Sequence, residues 1–202
     1  MTALSQVQDR IHHTTRMFAK HHHCVFCKML HDEMEEGSRV VASNDAFVAF
    51  VPFAAVSPFQ VQCTQYSWLR DEMHAHLCGM LQVWILPIGH SPSLLSLQSK
   101  HQRSLAEILQ SVMARLDAVL DMPDYNAVVH NAPIAAEEWS ARAMATGPLR
   151  AHDVWVSDAH HWYIDVFPRL APGGLAGFEF SSTVFSNSSC PDEDAARLRA
   201  AL

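Results

Sequence analysis

Apolar and polar positions recur along this chain with two periods, and the changes between them outline its elements. Residues 3–20 read as a helix running into His21-His22-His23. Residues 28–37 have helical spacing and end at Gly37, a residue suited to a helix C-cap. Two strand-like segments follow, 38–42 and 46–52, rich in Val and Phe. Residues 83–86, closed by Pro87, read as a third strand. The longest helical pattern spans 101–120, where Leu105, Ile108, Leu109, Val112, Leu116 and Leu120 recur at spacings of three and four. Pro123 is expected to stop it. Two more strands are predicted at 125–130 and 162–167, the second ending at Pro168-Arg169. Residues 191–202 open with Pro-Asp-Glu-Asp, acids that suit the positive end of a helix. This order predicts one α+β domain with a mostly antiparallel sheet and a long packing helix. Residues 61–82 are mixed in pattern, and 134–159 read as a long variable loop or a partly helical excursion.

Composition narrows the class. The chain has 202 residues, 49% of them hydrophobic and 17% charged, enough apolar material for one sizeable core. Its formal net charge is −7, which argues against a nucleic-acid or membrane-surface partner, since either would select a basic face. No apolar run approaches the roughly 20 residues of a membrane span. The N-terminal stretch lacks the apolar core of a secretory signal, although its early scarcity of acids leaves organelle targeting open. Five cysteines, an odd number, disfavour a secreted disulfide framework. A reduced, cytoplasmic setting is expected.

The sharpest local signal is Cys24-Val-Phe-Cys27. Two thiolates at this spacing can grip one tetrahedral zinc from a tight turn. A redox pair and two buried thiols are the alternatives, and nothing before Cys24 resembles the strand that precedes a thioredoxin-like pair. With no second CxxC in the chain, two further zinc ligands would have to come from its 14 histidines. His90 follows the third strand, His130 ends the fourth, and His160 and His161 open the fifth. His12, His13, His21, His22, His23, His74, His76, His101 and His152 fall in helix or loop contexts. Spacing does not choose among them.

Seven segments occur in a distinctive order: CVFCKML, NDAFVAFVPFAAVSPFQ, VWILPIGH, YNAVVHNAP, HWYIDVFPRL, GFEF and PDEDAARLR. Together they resemble the C-terminal half of galactose-1-phosphate uridylyltransferase, within the histidine-triad superfamily, and its relative ADP-glucose phosphorylase. The resemblance implies a histidine-triad-like half and a zinc held by Cys24, Cys27, His90 and His161. Two thiolates and two imidazoles form a closed set, so this zinc would be structural. It implies a two-step nucleotidyl transfer in which a histidine attacks the α-phosphorus of UDP-glucose and a hexose 1-phosphate then takes the nucleotide. The family's nucleophile lies in a His-Pro-His-x-Gln motif of the other half, and no such motif occurs in this chain. At the corresponding place stands His161-Trp162-Tyr163. A tyrosine, with an ordinary pKa near ~10, does not replace an imidazole nucleophile at pH 7, so Tyr163 is expected to pack or to hydrogen-bond.

No catalytic residue is therefore assigned, and the chain alone is expected to be inactive. Contacts to hexose 1-phosphate or nucleotide sugar are implied for Phe178, Glu179, Asn187 and Asn126. Where the family often has Gly-Thr-Gly this chain has Ser181-Ser182-Thr183. The resemblance also implies a homodimer in the full-length family. A non-catalytic zinc-binding interaction module is the alternative, as is half of an ADP-glucose phosphorylase-like enzyme. A free-standing histidine-triad hydrolase ranks last, because His161-Trp-Tyr163-Ile-Asp165 lacks two of the three histidines such an enzyme needs. Gln-Val occurs at both Gln60-Val61 and Gln82-Val83, and deleting 61–82 joins PFQ to VWILP. That segment is read as an insertion, either an intron translated in frame or a genuine excursion. Its Cys63 and Cys78 are not assigned to zinc.

Overall fold

Among the described residues five strands, β1 (Val40–Ser43), β2 (Phe47–Phe50), β3 (Val83–Pro87), β4 (Asp124–His130) and β5 (Tyr163–Arg169), hydrogen-bond into one antiparallel sheet in the order β1-β2-β3-β5-β4. The structure, a computed structural model, describes residues 3–54, 81–133, 156–169 and 190–202. Helices α1 (Ala3–His21) and α2 (Val25–Glu36) precede strands β1 (Val40–Ser43), β2 (Phe47–Phe50) and β3 (Val83–Pro87). A short 3-10 turn (Leu94–Ser96) leads into helix α3 (Ser99–Leu120). Strand β4 (Asp124–His130), helix α4 (Val156–Ala159), strand β5 (Tyr163–Arg169) and helix α5 (Pro191–Ala200) complete the order. Among the described residues no helix is long and apolar enough to cross a membrane.

The strands divide their side chains between two packed layers, as the two-residue repeat of a strand requires. Phe47, Ala49, Val83, Ile85, Trp162, Ile164 and Val166 join one apolar cluster with Ile108, Val112 and Leu116 of α3 and Leu198 of α5. The alternate positions Val48, Phe50, Leu86 and Tyr163 pack on the other face against Phe26 and Leu30 of α2. Strand β2 is accordingly buried on both faces. The helical repeat expected for 101–120 is present, with Ile108, Val112 and Leu116 forming the buried stripe while Leu105, Leu109 and Leu120 pack at its margins.

Local chemistry sets several boundaries away from their expected places. α2 begins three residues earlier than the periodicity suggests, so the CxxC pair lies on its first turn, with Cys24 as the N-cap. Gly37 ends this helix with φ 71°, its N–H reaching Glu33 O, a left-handed geometry that glycine adopts without a Cβ clash. α3 ends before Pro123. Asp121 and Met122 take left-handed φ values of 57° and 54°, and the N–H groups of both reach Asp117 O. Between β1 and β2, the Asn44 carboxamide oxygen accepts from Ala46 N and Phe47 N, while its amide donates to Ser104 O at 2.8 Å. That turn is thereby fastened to α3. Of the segment read as an insertion, 61–80 lies outside the described residues; Leu81 and Gln82 are buried. Of the variable loop, 134–155 lies outside them and Val156–Ala159 forms α4.

Arg39 ties three elements together. Its guanidinium meets Glu33 at 2.8 Å, Glu36 at 2.8 Å and Asp192 of α5 at 3.1 Å. Burial raises the Glu33 pKa and the Arg39 hydrogen bond opposes the rise. Removing one partner of a buried pair leaves the other charge without compensation. Arg39→Met is therefore expected to destabilise the fold by about 3 kcal/mol, read as a lowered urea midpoint at unchanged slope. A loss below about 0.5 kcal/mol, the scale of exposed pairs, would contradict this role.

Candidate metal centre

The antiparallel register of β3 and β5 is the scaffold of the site. Pairing Val83 with Val166 and Ile85 with Ile164 brings the end of β3 beside the start of β5. Trp162 N donates to Ser91 O at 2.9 Å, fixing the two flanking loops against each other. His90 and His161 consequently face one another, ring centroids 5.3 Å apart and planes at 89°. This bond also explains why β5 starts at Tyr163 rather than 162, since the Trp162 amide is directed to the loop.

The first turn of α2 supplies the other two groups. Among the described residues, Cys24, Cys27, His90 and His161 each place a ligand atom within 4.8 Å of the others'. Cys27 Sγ lies 3.2 Å from His90 Nδ1 and 3.4 Å from His161 Nδ1. A tetrahedral zinc with ordinary Zn–S and Zn–N bonds sets sulfur–nitrogen separations at about 3.5 Å, so the spacing fits the ion. The tautomers fit as well. His90 Nε2 is 2.9 Å from Ser157 O, and His161 Nε2 is 3.0 Å from Pro87 O. A carbonyl only accepts, so each Nε2 carries the proton and each Nδ1 presents its lone pair to the cluster. Both cysteines are free thiols.

Electrostatics agree with a cation site. The Cys24 thiol is pushed far below its ordinary value, chiefly by its hydrogen bond with Cys27, and Cys27 is pushed up by the same bond. Placement at a helix N-terminus further favours a thiolate. The His90 pKa is raised mainly by the Cys24 hydrogen bond. Cys24 and His161 are buried while His90 is exposed, so the cluster sits at the edge of the core.

The remaining sequence-derived residues lie elsewhere or outside the described residues. Asn126 is half-buried on β4, paired with Phe167, and is not part of the cysteine–histidine cluster. Phe178, Glu179 and Asn187, with Cys63 and Cys78, fall outside the described residues. Tyr163 is buried, as expected of a packing residue. Arg10 donates to its hydroxyl at 2.8 Å, and burial raises its pKa to about 12. His130 is a hydrogen-bonding residue at the end of its strand: Arg10 Nη1 donates to its Nδ1 at 2.7 Å, and its Nε2 is 3.7 Å from Asp165. Gln82 donates to both carboxylate oxygens of Asp165 at 2.8 Å.

Sequence reasoning missed Arg10 and Gln82. Arg10 carries no local signal on a polar helix face, whereas Asp165, a carboxylate inside an apolar strand, was the visible clue that a buried partner exists. His160 is also buried, with both ring nitrogens lacking a hydrogen-bond partner. Burial, reinforced by the Arg10 charge, lowers its pKa from 6.5 to about 4. The neutral imidazole thus contributes full stability above pH 6.5, which is lost as the pH falls toward 4. The expected loss is about 3 kcal/mol. Denaturant melts at pH 7 and 4.5 should show a smaller acid loss in His160→Phe than in the parent chain; equal losses would exclude His160 as the acid-sensitive group.

No protein-family model matches the chain. Two curated proteins align with 96% of it: ADP-glucose phosphorylase of Arabidopsis thaliana, 23% identical over 193 residues, and galactose-1-phosphate uridylyltransferase of Thermotoga maritima, 23% identical over 199. The chain spans 42% of the first and 50% of the second, about half of each. A solved uridylyltransferase structure superposes with a TM-score of 0.66 at 25% identity, over 97% of this chain and 50% of that one. The similarity inferred from the seven sequence segments is therefore present in both sequence and fold.

Proposed function

We propose that this chain is the C-terminal half of a sugar-nucleotide-processing nucleotidyltransferase of the hexose-1-phosphate uridylyltransferase type, built around a structural zinc. The observation that carries the reading is the end-to-end similarity of the chain to half of two such enzymes, with all four implied ligands converging in one cluster. Cys24, Cys27, His90 and His161 would hold the zinc, which would cross-link α2 to the β3–β5 junction, and a set of four protein ligands would serve structure rather than catalysis. Metal affinity would then also be folding energy.

The residues of this half bind and position rather than attack. With its pKa near 12, Tyr163 stays a neutral phenol at pH 7, and no His-Pro-His motif occurs in the chain. The nucleophile would belong to the second half of the catalytic unit, in the same polypeptide or another. Strand β4 supports a partner of that kind: among the described residues it is an end strand of the sheet, and Tyr125, Val128 and Val129 are all at least 40% exposed on it. A free strand edge is ordinarily paired or protected. Phe178, Glu179, Asn187 and Asn126 are proposed to contact the hexose 1-phosphate, and the alternative substrate pair is ADP-glucose and phosphate.

Metal analysis tests the zinc. Purified protein is expected to hold one zinc per chain, lost in Cys24→Ser and His161→Ala and retained in Cys63→Ser; the reverse pattern would overturn the ligand assignment. Activity tests the rest. The isolated chain is expected to form no product from UDP-glucose plus galactose 1-phosphate, or from ADP-glucose plus phosphate, and to do so only with a half carrying the nucleophile. Turnover by the chain alone would place the nucleophile here after all.

A further inference from the structure

A second polar cluster lies between α1 and the β4–β5 end of the sheet, and the metal centre does not use it. Its anchor is Arg10. The Arg10 Nη1 group donates to two neutral acceptors, His130 Nδ1 at 2.7 Å and Tyr163 Oη at 2.8 Å. The guanidinium is thereby held in one orientation. Among the described residues no carboxylate lies within ion-pair distance of it, and its Nε and Nη2 edge has no protein acceptor. The nearby carboxylate, Asp165, is held instead by Gln82 and faces His130 Nε2. A fixed guanidinium whose fork meets no carboxylate among the described residues is the arrangement that captures phosphate oxygens in pairs.

Two further groups around Tyr163 lack partners. His160 is 2% exposed and neither of its nitrogens is hydrogen-bonded; its ring meets Phe26, which in turn packs on Tyr163. Trp84 Nε1 is buried without an acceptor, its ring 4.6 Å from the Tyr163 ring. Unpartnered buried donors are rare and ask for a water or a ligand. The helix that carries Arg10 is basic. Although the chain carries a net charge of −7, α1 holds Arg10, Arg16 and Lys20 against one acid, Asp9. Arg10 and His130 are part-exposed, so the cluster opens to solvent.

We propose that Arg10, with His130, His160 and Tyr163 around it, forms a binding site for a phosphoryl anion, distinct from the cysteine–histidine cluster. The site takes a terminal phosphate or phosphate monoester, whose oxygens bridge the open edge of Arg10. It stands whether or not the nucleotidyl-transfer reading does, since it requires no catalysis.

Isothermal titration of the metal-loaded full chain with inorganic phosphate, a hexose 1-phosphate and a nucleoside monophosphate tests it, and the tightest of the three identifies the source of the phosphate. Saturable binding is expected, weakened at least tenfold in Arg10→Gln and less in Arg10→Lys, which keeps the charge but loses the fork. Arg103→Gln, far out in solvent, should bind as the parent does. Equal affinity in Arg10→Gln, or no saturable binding of any of the three, would overturn the site and leave water as the partner of the unpaired nitrogens. Should Arg10→Gln fail to fold, histidine-ring NMR of the parent chain decides: phosphate must shift the His130 and His160 signals and leave His101 unmoved, and unmoved His130 and His160 signals would overturn the site equally.

Discussion

The register between β3 and β5 is the constraint on which the rest depends. Pairing Ile85 with Ile164 sets which residues flank the junction, and Trp162 N to Ser91 O locks it. A slip of one residue would turn every side chain of β5 to the opposite face. Trp162, Ile164 and Val166 would leave the α3 layer, and Tyr163 would leave the α2 layer. The cysteine–histidine cluster exists only because this register carries His90 and His161 to the first turn of α2. Four carbonyl and thiol contacts then finish the site, with Pro87 O and Ser157 O orienting the two imidazoles.

The two faces of the sheet divide the labour. Toward α3 and α5 the face is apolar and supplies the larger core. Toward α2 it is mixed, because β5 alternates Tyr163 and Asp165 with its apolar residues. Tyr163 links the two polar regions of this face: its ring packs near Phe26 and stacks with His130 at 4.4 Å, while its hydroxyl receives Arg10. A phenol there is a structural choice with chemical consequences. It fills the volume of an aromatic, keeps its proton at neutral pH, and holds a guanidinium in place.

Strand β4 differs from its neighbours in the sheet. It makes a seven-residue ladder with β5 yet leaves Tyr125 and Val129 exposed on one face and Val128 on the other. Interior strands of the same sheet bury both faces. This exposure, with the match to about half of each relative's length, is the ground on which a second unit is proposed.

Sequence alone determined the elements, because burial imposes its period on each segment separately. The α3 stripe, the Gly37 cap, the five strands and the CxxC pair were all legible, and the ordered segments singled out Cys24, Cys27, His90 and His161, the four residues that the fold gathers into one cluster. What it did not determine is what depends on pairing between distant segments. The start of α2 at Val25 follows from Phe26 packing across the sheet on Tyr163, and the end of α3 from left-handed residues ahead of Pro123. The contact of Arg10 with His130 and Tyr163 spans 120 and 153 residues. No local pattern marks such a partner, since an arginine on a polar helix face looks the same in sequence whether it meets solvent or a partly buried imidazole. Only the sheet register, which brings residues far apart in the chain onto one face, decides which of those it is.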